Sequence, residues 1–470
     1  MKTVYLFIGL LASTFSFGQN LQARLSNAVK GLESDTQFKH AILSLYVVDS
    51  KTGKVIIDRN SQIGLAPASC QKVVTSVSAF EMLGKEYKYK TEFGYSGEIK
   101  DGYLKGSINI TGYGDPTFGS WRYKNNTAEK IVDNLYSIII DKLKIKSLDA
   151  IYIDNSKWGS QTMPDGWIWQ DMGNYYGAGC SSFNWNENQY TIKLKPGKEV
   201  GDKVEILWMK PFPGIQLVNE LTTGAKGSGD QAYIYFSPYS AIGFIRGTVP
   251  TGVDSFFISG ALTDGAYPFS GALADKLYKS GCTLTNGNYS MFNAFMNNKS
   301  YSVLKPETIL ATLYSPPLDS INYWFLKKSV NLYGEAFVKT IAYEKTKSGS
   351  TDTGINIIKD FWKERGIERS ALNIIDGSGL SPANRVTTNA LVTVMQYARQ
   401  QNWFPSFYYA LPETNGIKMK DGYISGVRSY TGYVKNKTGA EYTFSFIVNN
   451  FDGNAGTVRE KMWKLLDILK

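Results

Sequence analysis

The feature of this sequence that most constrains its fold is a change of pattern between its ends and its middle. Residues 40–60, HAILSLYVVDSKTGKVIIDRN, are typical of a β-hairpin, and the last residues, TVREKMWKLLDILK, of an amphipathic helix. From about residue 89 to residue 265, short strand-like runs alternate with glycine and asparagine turns. A strand-rich region thus interrupts an α/β unit, which predicts an inserted domain.

The first residues, MKTVYLFIGLLASTFSFGQN, predict a secretory signal peptide over 1–18. Lys2 supplies the positive charge, an apolar run follows at 4–12, and small residues surround the expected cleavage point. The run is too short to span a bilayer, although a buried first helix would show a similar pattern. We therefore expect a protein exported from the cytoplasm, without a transmembrane anchor.

Charge and composition exclude several classes of protein. The net charge is +10, but no block of like charges indicates a nucleic-acid partner. Three cysteines allow one disulfide at most, so the chain is not a disulfide scaffold. With a single histidine and scattered cysteines, no metal-binding spacing is present, and we expect no cofactor.

Ser69 and Lys72 stand three residues apart where an apolar helix is predicted, in LAPASCQKVVTSVSAFEML at 65–83. A serine hydroxyl needs a base to become a nucleophile, and a lysine can be that base if burial keeps it neutral. His40 lies in no recognisable triad. On spacing alone, an N-capping serine followed by a surface lysine is the ordinary interpretation.

Two further motifs follow in the order S-x-x-K, S-x-N, K-T-G that is found in class A β-lactamases and penicillin-binding proteins. Ser329-Val330-Asn331 lies in a predicted amphipathic helix, and Lys437-Thr438-Gly439 in a predicted late strand. An earlier K-T-G at Lys51 is interpreted as a hairpin turn and precedes Ser69. Other S-x-N matches are Ser182-Phe183-Asn184 and Ser320-Ile321-Asn322.

From about residue 41 onwards the chain resembles the D-alanyl-D-alanine carboxypeptidase/endopeptidases, the class C, low-molecular-mass (type-4) penicillin-binding proteins. The segments that carry the resemblance are LAPASCQKVVT, LKGSINITGYGDPTF, DGWIWQDM, LKKSVN, DGSGLSPANRV and VKNKTG. The resemblance implies an α/β sandwich of the serine β-lactamase/DD-transpeptidase type. It assigns 19–88 and 266–470 to this DD-peptidase domain, and 89–265 to a strand-rich insertion of two smaller domains.

The resemblance also implies roles for five residues. Ser69 would be the acylated nucleophile and Lys72 its proton acceptor. Ser329 would relay a proton to the leaving amine, and Asn331 would hold the peptide carbonyl of the substrate. Lys437 would supply a positive field that favours neutral Lys72 and attracts a C-terminal carboxylate.

The residues after Lys437 would contact the same carboxylate and complete the oxyanion hole. Thr438 and Gly439 follow the family pattern, but Ala440 stands where relatives usually have Ser or Thr. The resemblance pairs the backbone N–H of Ala440 with that of Ser69 as oxyanion donors. Val330 replaces a commoner Asp, and we expect little effect from it.

Three other residues, Ser378, Arg385 and Asp171, have a structural and a functional interpretation of similar weight. Ser378 and Arg385, in DGSGLSPANRV, would border the cleft or belong to a tight turn. Asp171, in WQDM, would reach the amino end of a diamino acid or be a turn residue. Cys70 is interpreted as a packing residue rather than a nucleophile.

The sequence thus predicts a periplasmic serine DD-peptidase that acts on peptidoglycan stem peptides and is acylated by β-lactams. A β-lactamase or esterase on the same fold, or a non-catalytic wall-binding protein, are the alternatives. Both a monomer and a homodimer are compatible with the sequence. The C-terminal helix is predicted to pack against the sheet rather than to anchor the chain in a membrane.

Overall fold

The fold is that of a computed structural model, which describes residues 21–262, 264–290 and 305–470. The predicted signal peptide lies outside these residues. Within them, no helix has both the length and the apolar character needed to cross a membrane.

The described residues contain strands that we number in chain order. They are β1 (Ile42–Asp49), β2 (Val55–Arg59), β3 (Lys90–Lys100), β4 (Tyr103–Gly112), β5 (Ser147–Asp154), β6 (Gln189–Lys195), β7 (Glu205–Lys210), β8 (Gln216–Gly224), β9 (Gln231–Tyr235), β10 (Ile242–Pro250), β11 (Phe256–Ala261), β12 (Thr283–Tyr289), β13 (Thr308–Tyr314), β14 (Leu372–Asn373), β15 (Arg385–Val386), β16 (Glu413–Thr414), β17 (Ile417–Ile424), β18 (Val427–Lys435) and β19 (Glu441–Asn449).

The α-helices of the described residues are numbered in the same way. They are α1 (21–33), α2 (Lys72–Leu83), α3 (Ala128–Ser137), α4 (Trp169–Met172), α5 (Ala266–Lys279), α6 (Leu318–Lys327), α7 (Asn331–Thr346), α8 (Thr351–Lys363), α9 (Thr388–Arg399), α10 (Phe404–Ala410) and α11 (Ala455–Leu466).

The described residues form two compact units. The first unit comprises the described residues up to Met82, Asn322–Ser329 and Ile355–Lys470. Its six-stranded antiparallel sheet has the order β16-β17-β18-β19-β1-β2. The predicted hairpin at 40–60 therefore forms β1 and β2 at one edge, and β17 lies near the other.

The two faces of this sheet differ because side chains alternate along each strand. One face is apolar, and Met419, Tyr430 and Phe446 pack there with the terminal helices α1 and α11. Leu466 and Leu469 are buried in this core, which confirms that the C-terminal helix packs on the sheet. The opposite face carries residues of the other parity, which are mostly small or polar.

The second unit comprises the described residues of Leu83–Ile321 and Val330–Gly354. A five-stranded sheet of order β12-β5-β4-β3-β13 encloses one buried core with α3 and α5. Two three-stranded sheets, β8-β10-β9 and β11-β6-β7, surround another core.

This division corrects the second predicted domain boundary. The helical periodicity that resumes in the sequence at 266 predicts that the chain returns to the peptidase domain there. In the structure α5 packs in the core of the five-stranded sheet, and β12 and β13 pair with β5 and β3. Helical periodicity reports a buried face but not the unit that buries it, so α5 was assigned to the wrong unit.

Candidate active site

Ser69 and Lys72 lie on one turn at the start of α2. Residues Ala68–Gln71 form a short 3-10 helix, and Lys72 is the first residue of α2. The Nζ of Lys72 donates a hydrogen bond to the Oγ of Ser69 over 3.0 Å, and the Lys72 side chain is fully buried. The three-residue spacing thus brings the ammonium group of Lys72 to the hydroxyl of Ser69. Lys72 is not the surface lysine that the spacing alone would suggest.

Lys72 has two further contacts that help to place its side chain. Nζ also donates to the backbone carbonyl of Ser378 over 2.7 Å, and lies 5.8 Å from the centre of the Phe325 ring. The carbonyl and the hydroxyl fix the direction of the lysine side chain without an ion pair in either contact. Burial disfavours the charged form of an amine, which suits a general base.

One buried carboxylate holds the loop that contains Ser378 against the short 3-10 helix Ala68–Gln71. Asp376 accepts hydrogen bonds from the Gln71 amide, the Gly379 and Ser381 backbone N–H groups, and the Asn384 amide, over 2.7–2.9 Å. The predicted cleft residue Ser378 has a fully buried side chain, and its carbonyl contacts Lys72. Ser378 therefore positions the lysine.

Gly379 shows how closely this loop approaches the Ser69 segment. It has a φ of +78°, and a Cβ built there would lie 2.0 Å from the carbonyl oxygen of Ala68. Only glycine fits this position.

Replacing Asp376 with alanine is expected to destabilise the protein by about 3–5 kcal/mol, because four buried donors lose their acceptor. The expected result is a fall of at least about 5 °C in the midpoint of thermal unfolding, measured by circular dichroism or differential scanning fluorimetry. Asp360→Ala, at an exposed ion pair with Arg369, is the control and should change the midpoint little. Equal midpoints for both variants would contradict this account of the loop.

The Ser69 segment, Ala68–Gln71, lies on the less apolar face of the sheet, next to strand β17. A Cβ built on Gly422 would lie 2.9 Å from the backbone nitrogen of Ser69 and 2.8 Å from the carbonyl of Pro67. The hydroxyl of Ser429, opposite Gly422 on β18, donates to the same Pro67 carbonyl over 2.6 Å. The nucleophile segment thus sits directly on β17 and β18.

Cys70 packs into the same contact. Its Sγ donates to the carbonyl of Lys420 over 3.2 Å, and its side chain is fully buried. Burial raises the pKa of the Cys70 thiol to about 11, so little thiolate forms at neutral pH. These observations agree with a packing role and not with a nucleophilic one.

The predicted placement of Lys437 in a strand at the cleft was wrong. Lys437 is exposed in the turn between β18 and β19, and its N–H donates to the carbonyl of the C-terminal Lys470 over 3.2 Å. Ser429 is the residue of β18 that contacts the Ser69 segment. Lys435, at the end of that strand and two residues before Lys437, is about 20 Å further along it.

The residues that follow Lys437 are engaged in the same turn. The hydroxyl and N–H of Thr438, and the N–H of Ala440, all donate to the Asn436 side chain over 2.8–3.0 Å. Gly439 has a φ of +88°, as such a turn requires, and Ala440 packs towards the apolar core. Thr438, Gly439 and Ala440 therefore do not approach Ser69, and the predicted oxyanion donor Ala440 is already bonded.

Besides Lys72, the lysine that lies next to the Ser69 segment is Lys420 and not Lys437. The motif search did not identify it. Lys420 and Gly422 have the K-x-G spacing, but Asp421 stands between them where the motif has threonine. Lys420 is 1% exposed and shares the sheet face of Gly422. The available signal was the strand pattern IKMKDGYI followed by the two-residue turn Ser425-Gly426.

Among the described residues, no strand pairs with the outer edge of β17 next to Ser69. Ile424 and Val427 flank a two-residue turn. The backbone N–H and C=O groups of even-numbered residues of β17 therefore bond to β18, and those of odd-numbered residues point to the outer edge. The N–H of Met419 accordingly donates to the carbonyl of Pro412. Short β16 pairs only with Ile417 and Lys418, which leaves the N–H of Tyr423 on the free edge.

Ser329 was predicted to lie within a helix. In the structure it lies between two helices. α6 ends at Lys327, α7 begins at Asn331, and Ser329 itself has a φ of +55°. A left-handed serine is uncommon and is found at functional sites more often than elsewhere. In the first unit, Phe325 precedes Ser329 by one turn and its ring is the one beside Lys72.

Asn331 and Asp171 lie in the second unit and are connected there through Tyr176. The Asn331 side chain donates to the Tyr176 carbonyl over 2.7 Å, and the Tyr176 hydroxyl donates to Asp171 over 3.3 Å. Burial raises the pKa of the Asp171 carboxyl, which lies on the short helix α4. Two residues chosen from separate motifs are thus brought together.

Arg385 lies on β15 in the first unit. Its guanidinium donates to the carbonyls of Pro382 and Asn384, both over 2.7 Å. These contacts bind it within its own loop.

A serine hydroxyl is bonded to a buried lysine at the start of a helix, beside a sheet edge with a second buried lysine. This arrangement is typical of serine hydrolases. Comparison with known proteins gives the family. The sequence model of the D-Ala-D-Ala carboxypeptidase 3 (S13) family matches residues 25–467, and the chain belongs to that family. It is therefore an enzyme, a serine-type carboxypeptidase of the hydrolase class.

Two relatives match most of the chain. The D-alanyl-D-alanine carboxypeptidase of Actinomadura sp. strain R39 is 24% identical over 494 residues, which cover 95% of this chain and 85% of the relative. D-alanyl-D-alanine carboxypeptidase DacB of Haemophilus influenzae is 23% identical over 423 residues, covering 85% and 83%.

A solved structure has the same fold. The crystal structure of penicillin binding protein 4 (dacB) from Haemophilus influenzae aligns with a TM-score of 0.78 at 20% identity, and covers 95% of this chain and 99% of that one. The predicted multi-domain α/β fold is confirmed.

Proposed function

We propose that this protein is a serine DD-peptidase that hydrolyses the stem peptides of peptidoglycan. Its reactions would be removal of the terminal D-alanine from D-Ala-D-Ala and cleavage of cross-links between D-alanine and a diamino acid. The observation that carries the proposal is the 3.0 Å hydrogen bond between fully buried Lys72 and the hydroxyl of Ser69. Family membership supports the same substrate class.

The chemistry begins with neutral Lys72 taking the proton of Ser69 while Oγ attacks the carbonyl carbon of the penultimate D-alanine. The C–N bond then breaks, and a proton reaches the leaving amine, with Ser329 as the relay that the resemblance implies. Water attacks the acyl-enzyme in the second half-reaction, which releases the shortened peptide and returns the proton to Ser69.

The oxyanion of each tetrahedral intermediate needs two fixed donors. We assign them to the backbone N–H groups of Ser69 and Tyr423. Gly422 lies against the backbone nitrogen of Ser69, and the backbone N–H of the next residue, Tyr423, points to the free edge of β17. Lys420 takes the field-supplying role first given to Lys437. The resemblance assigns the peptide carbonyl to Asn331, and its link to Asp171 through Tyr176 supports a role for Asp171 with a diamino acid.

β-Lactams should acylate Ser69, since they imitate the scissile amide. A solved relative, penicillin binding protein 4 of Haemophilus influenzae, is described as complexed with a β-lactam, which supports this. The proposed location is the periplasm, in keeping with the predicted signal peptide.

The experiment that tests the function is incubation of the purified protein with muropeptides, followed by mass spectrometry. Loss of one terminal D-alanine from pentapeptides, or conversion of cross-linked dimers into monomers, is expected. Unchanged muropeptides would refute the peptidase. Rapid turnover of penicillin in the same preparation would indicate a β-lactamase instead.

Lys420→Met and Lys437→Met are expected to differ sharply in penicillin acylation. Removing the buried Lys420 charge beside Ser69 should slow acylation by about 10²-fold or more, because the positive field and the support of β17 are both lost. The exposed Lys437 turn should tolerate the change within about twofold. Stopped-time labelling with a fluorescent penicillin measures both rates, and a larger loss for Lys437→Met would reverse the assignment.

A further inference from the structure

The lysine beside the nucleophile is already paired with a carboxylate of the protein. The Nζ of Lys420 donates to the Oδ1 of Asp421 over 2.9 Å and to the carbonyl of Asp421 over 2.7 Å. The Lys420 side chain is 1% exposed, whereas that of Asp421 is 45% exposed. The acidic member of this pair is therefore the one more accessible to solvent.

This ion pair lies at the open edge of β17. The carbonyl of Asp421 points away from β18, because odd-numbered residues of β17 face outwards. Since Lys420 bonds that carbonyl, its ammonium group has reached the edge itself, next to the Gly422 backbone that contacts Ser69. An extended peptide that reaches Ser69 along this edge must pass both charges.

Two cations act on Asp421. Lys420 lowers the pKa of Asp421 most, and Arg428 lowers it further. Arg428 lies on the same sheet face as Asp421, with its guanidinium 4.7 Å from the centre of the Tyr423 ring. Together they hold the pKa of Asp421 below its usual value, so the group is a carboxylate at neutral pH.

We propose that Asp421 is a specificity residue that disfavours substrates with a free carboxylate next to the scissile bond. The inference rests on the proposed function and narrows its substrate class. A C-terminal carboxylate would compete with Asp421 for Lys420 and be repelled by Asp421 itself. The favoured substrates are those whose leaving amine carries no adjacent carboxylate, such as a side-chain amine in a cross-link or an amidated terminus.

The test uses one peptide in two forms: diacetyl-L-lysyl-D-alanyl-D-alanine with a free carboxylate, and the same peptide as its C-terminal amide. Release of D-alanine or D-alaninamide gives kcat/KM for each form, and the carboxylate-to-amide ratio is compared among variants. Asp421→Asn removes the charge at constant shape, and Asp421→Thr does so with a different side chain. Glu413→Gln is the matched control, an exposed carboxylate beside Lys418 on neighbouring β16.

We expect both Asp421 variants to raise the ratio about tenfold or more, and Glu413→Gln to change it less than about twofold. An unchanged ratio in two variants that still bind fluorescent penicillin would overturn the inference and leave the proposed function intact. A wild-type protein that cleaves the carboxylate form at least tenfold better than the amide would also overturn it. Failure of wild type to cleave either form would instead reject the proposed function.

Discussion

Ser69→Ala is expected to abolish both penicillin labelling and the release of D-alanine. The Ser69 hydroxyl accepts a 3.0 Å hydrogen bond from the Lys72 amine, which is the contact that the proposed proton transfer needs. Without the hydroxyl no acyl-enzyme can form, so we expect a loss of 10⁴-fold or more, on the order seen when a serine nucleophile is removed. Gel fluorescence after labelling and chromatographic assay of D-alanine measure the two losses.

Cys70→Ala is the matched control for this variant because it removes the adjacent nucleophilic atom. The Cys70 thiol is buried, bonded to the Lys420 carbonyl and has a raised pKa, so the variant should keep its label. Labelling that survives in Ser69→Ala and disappears in Cys70→Ala would assign the nucleophile to the thiol.

Lys72→Met is expected to lower the second-order rate of penicillin acylation by about 10²- to 10⁴-fold, the usual range for loss of a general base. Methionine fills nearly the same volume in a site that is fully buried, so packing should survive while the amine is lost. The rate is measured from the time course of labelling at several penicillin concentrations.

Lys72→Arg should be as slow, because a guanidinium does not become neutral and cannot accept the proton of Ser69. Lys85→Met, just beyond the end of the same helix and exposed, is the control that should label normally. A loss of only a fewfold in Lys72→Met, with normal folding, would mean that another group is the base.

The local part of the site could be predicted from the sequence, and the distant part could not. Ser69 and Lys72 are close because three residues make almost one helical turn, so the spacing itself determines the contact. The third motif depends on which strand lies beside the Ser69 segment, and sheet order and register decide that. A match to the letters K-T-G at 437 contains no such information.

The two K-T-G sequences illustrate the point. The one at Lys51 was rejected as a hairpin turn, and the one at Lys437 is also the turn of a hairpin, between β18 and β19. Both follow strand residues and precede a new strand. Lys420 was missed because Asp421 breaks the motif, although the buried lysine and the close approach of Gly422 are what the site requires.

Helical periodicity gave correct helices with incomplete boundaries. The segment around Ser329 is apolar on one side both before and after the motif, so it was predicted as a helix through the motif. In the structure a left-handed serine separates α6 from α7, a feature that hydrophobic spacing does not report.

Peptide mapping of the penicillin adduct tests the central claim most directly. The protein is incubated with benzylpenicillin, digested with trypsin and analysed by tandem mass spectrometry. We predict a penicilloyl group on peptide 60–72, NSQIGLAPASCQK, with fragment ions that place it on Ser69. No adduct, or one that maps to Ser61, Cys70 or another peptide, would contradict the account.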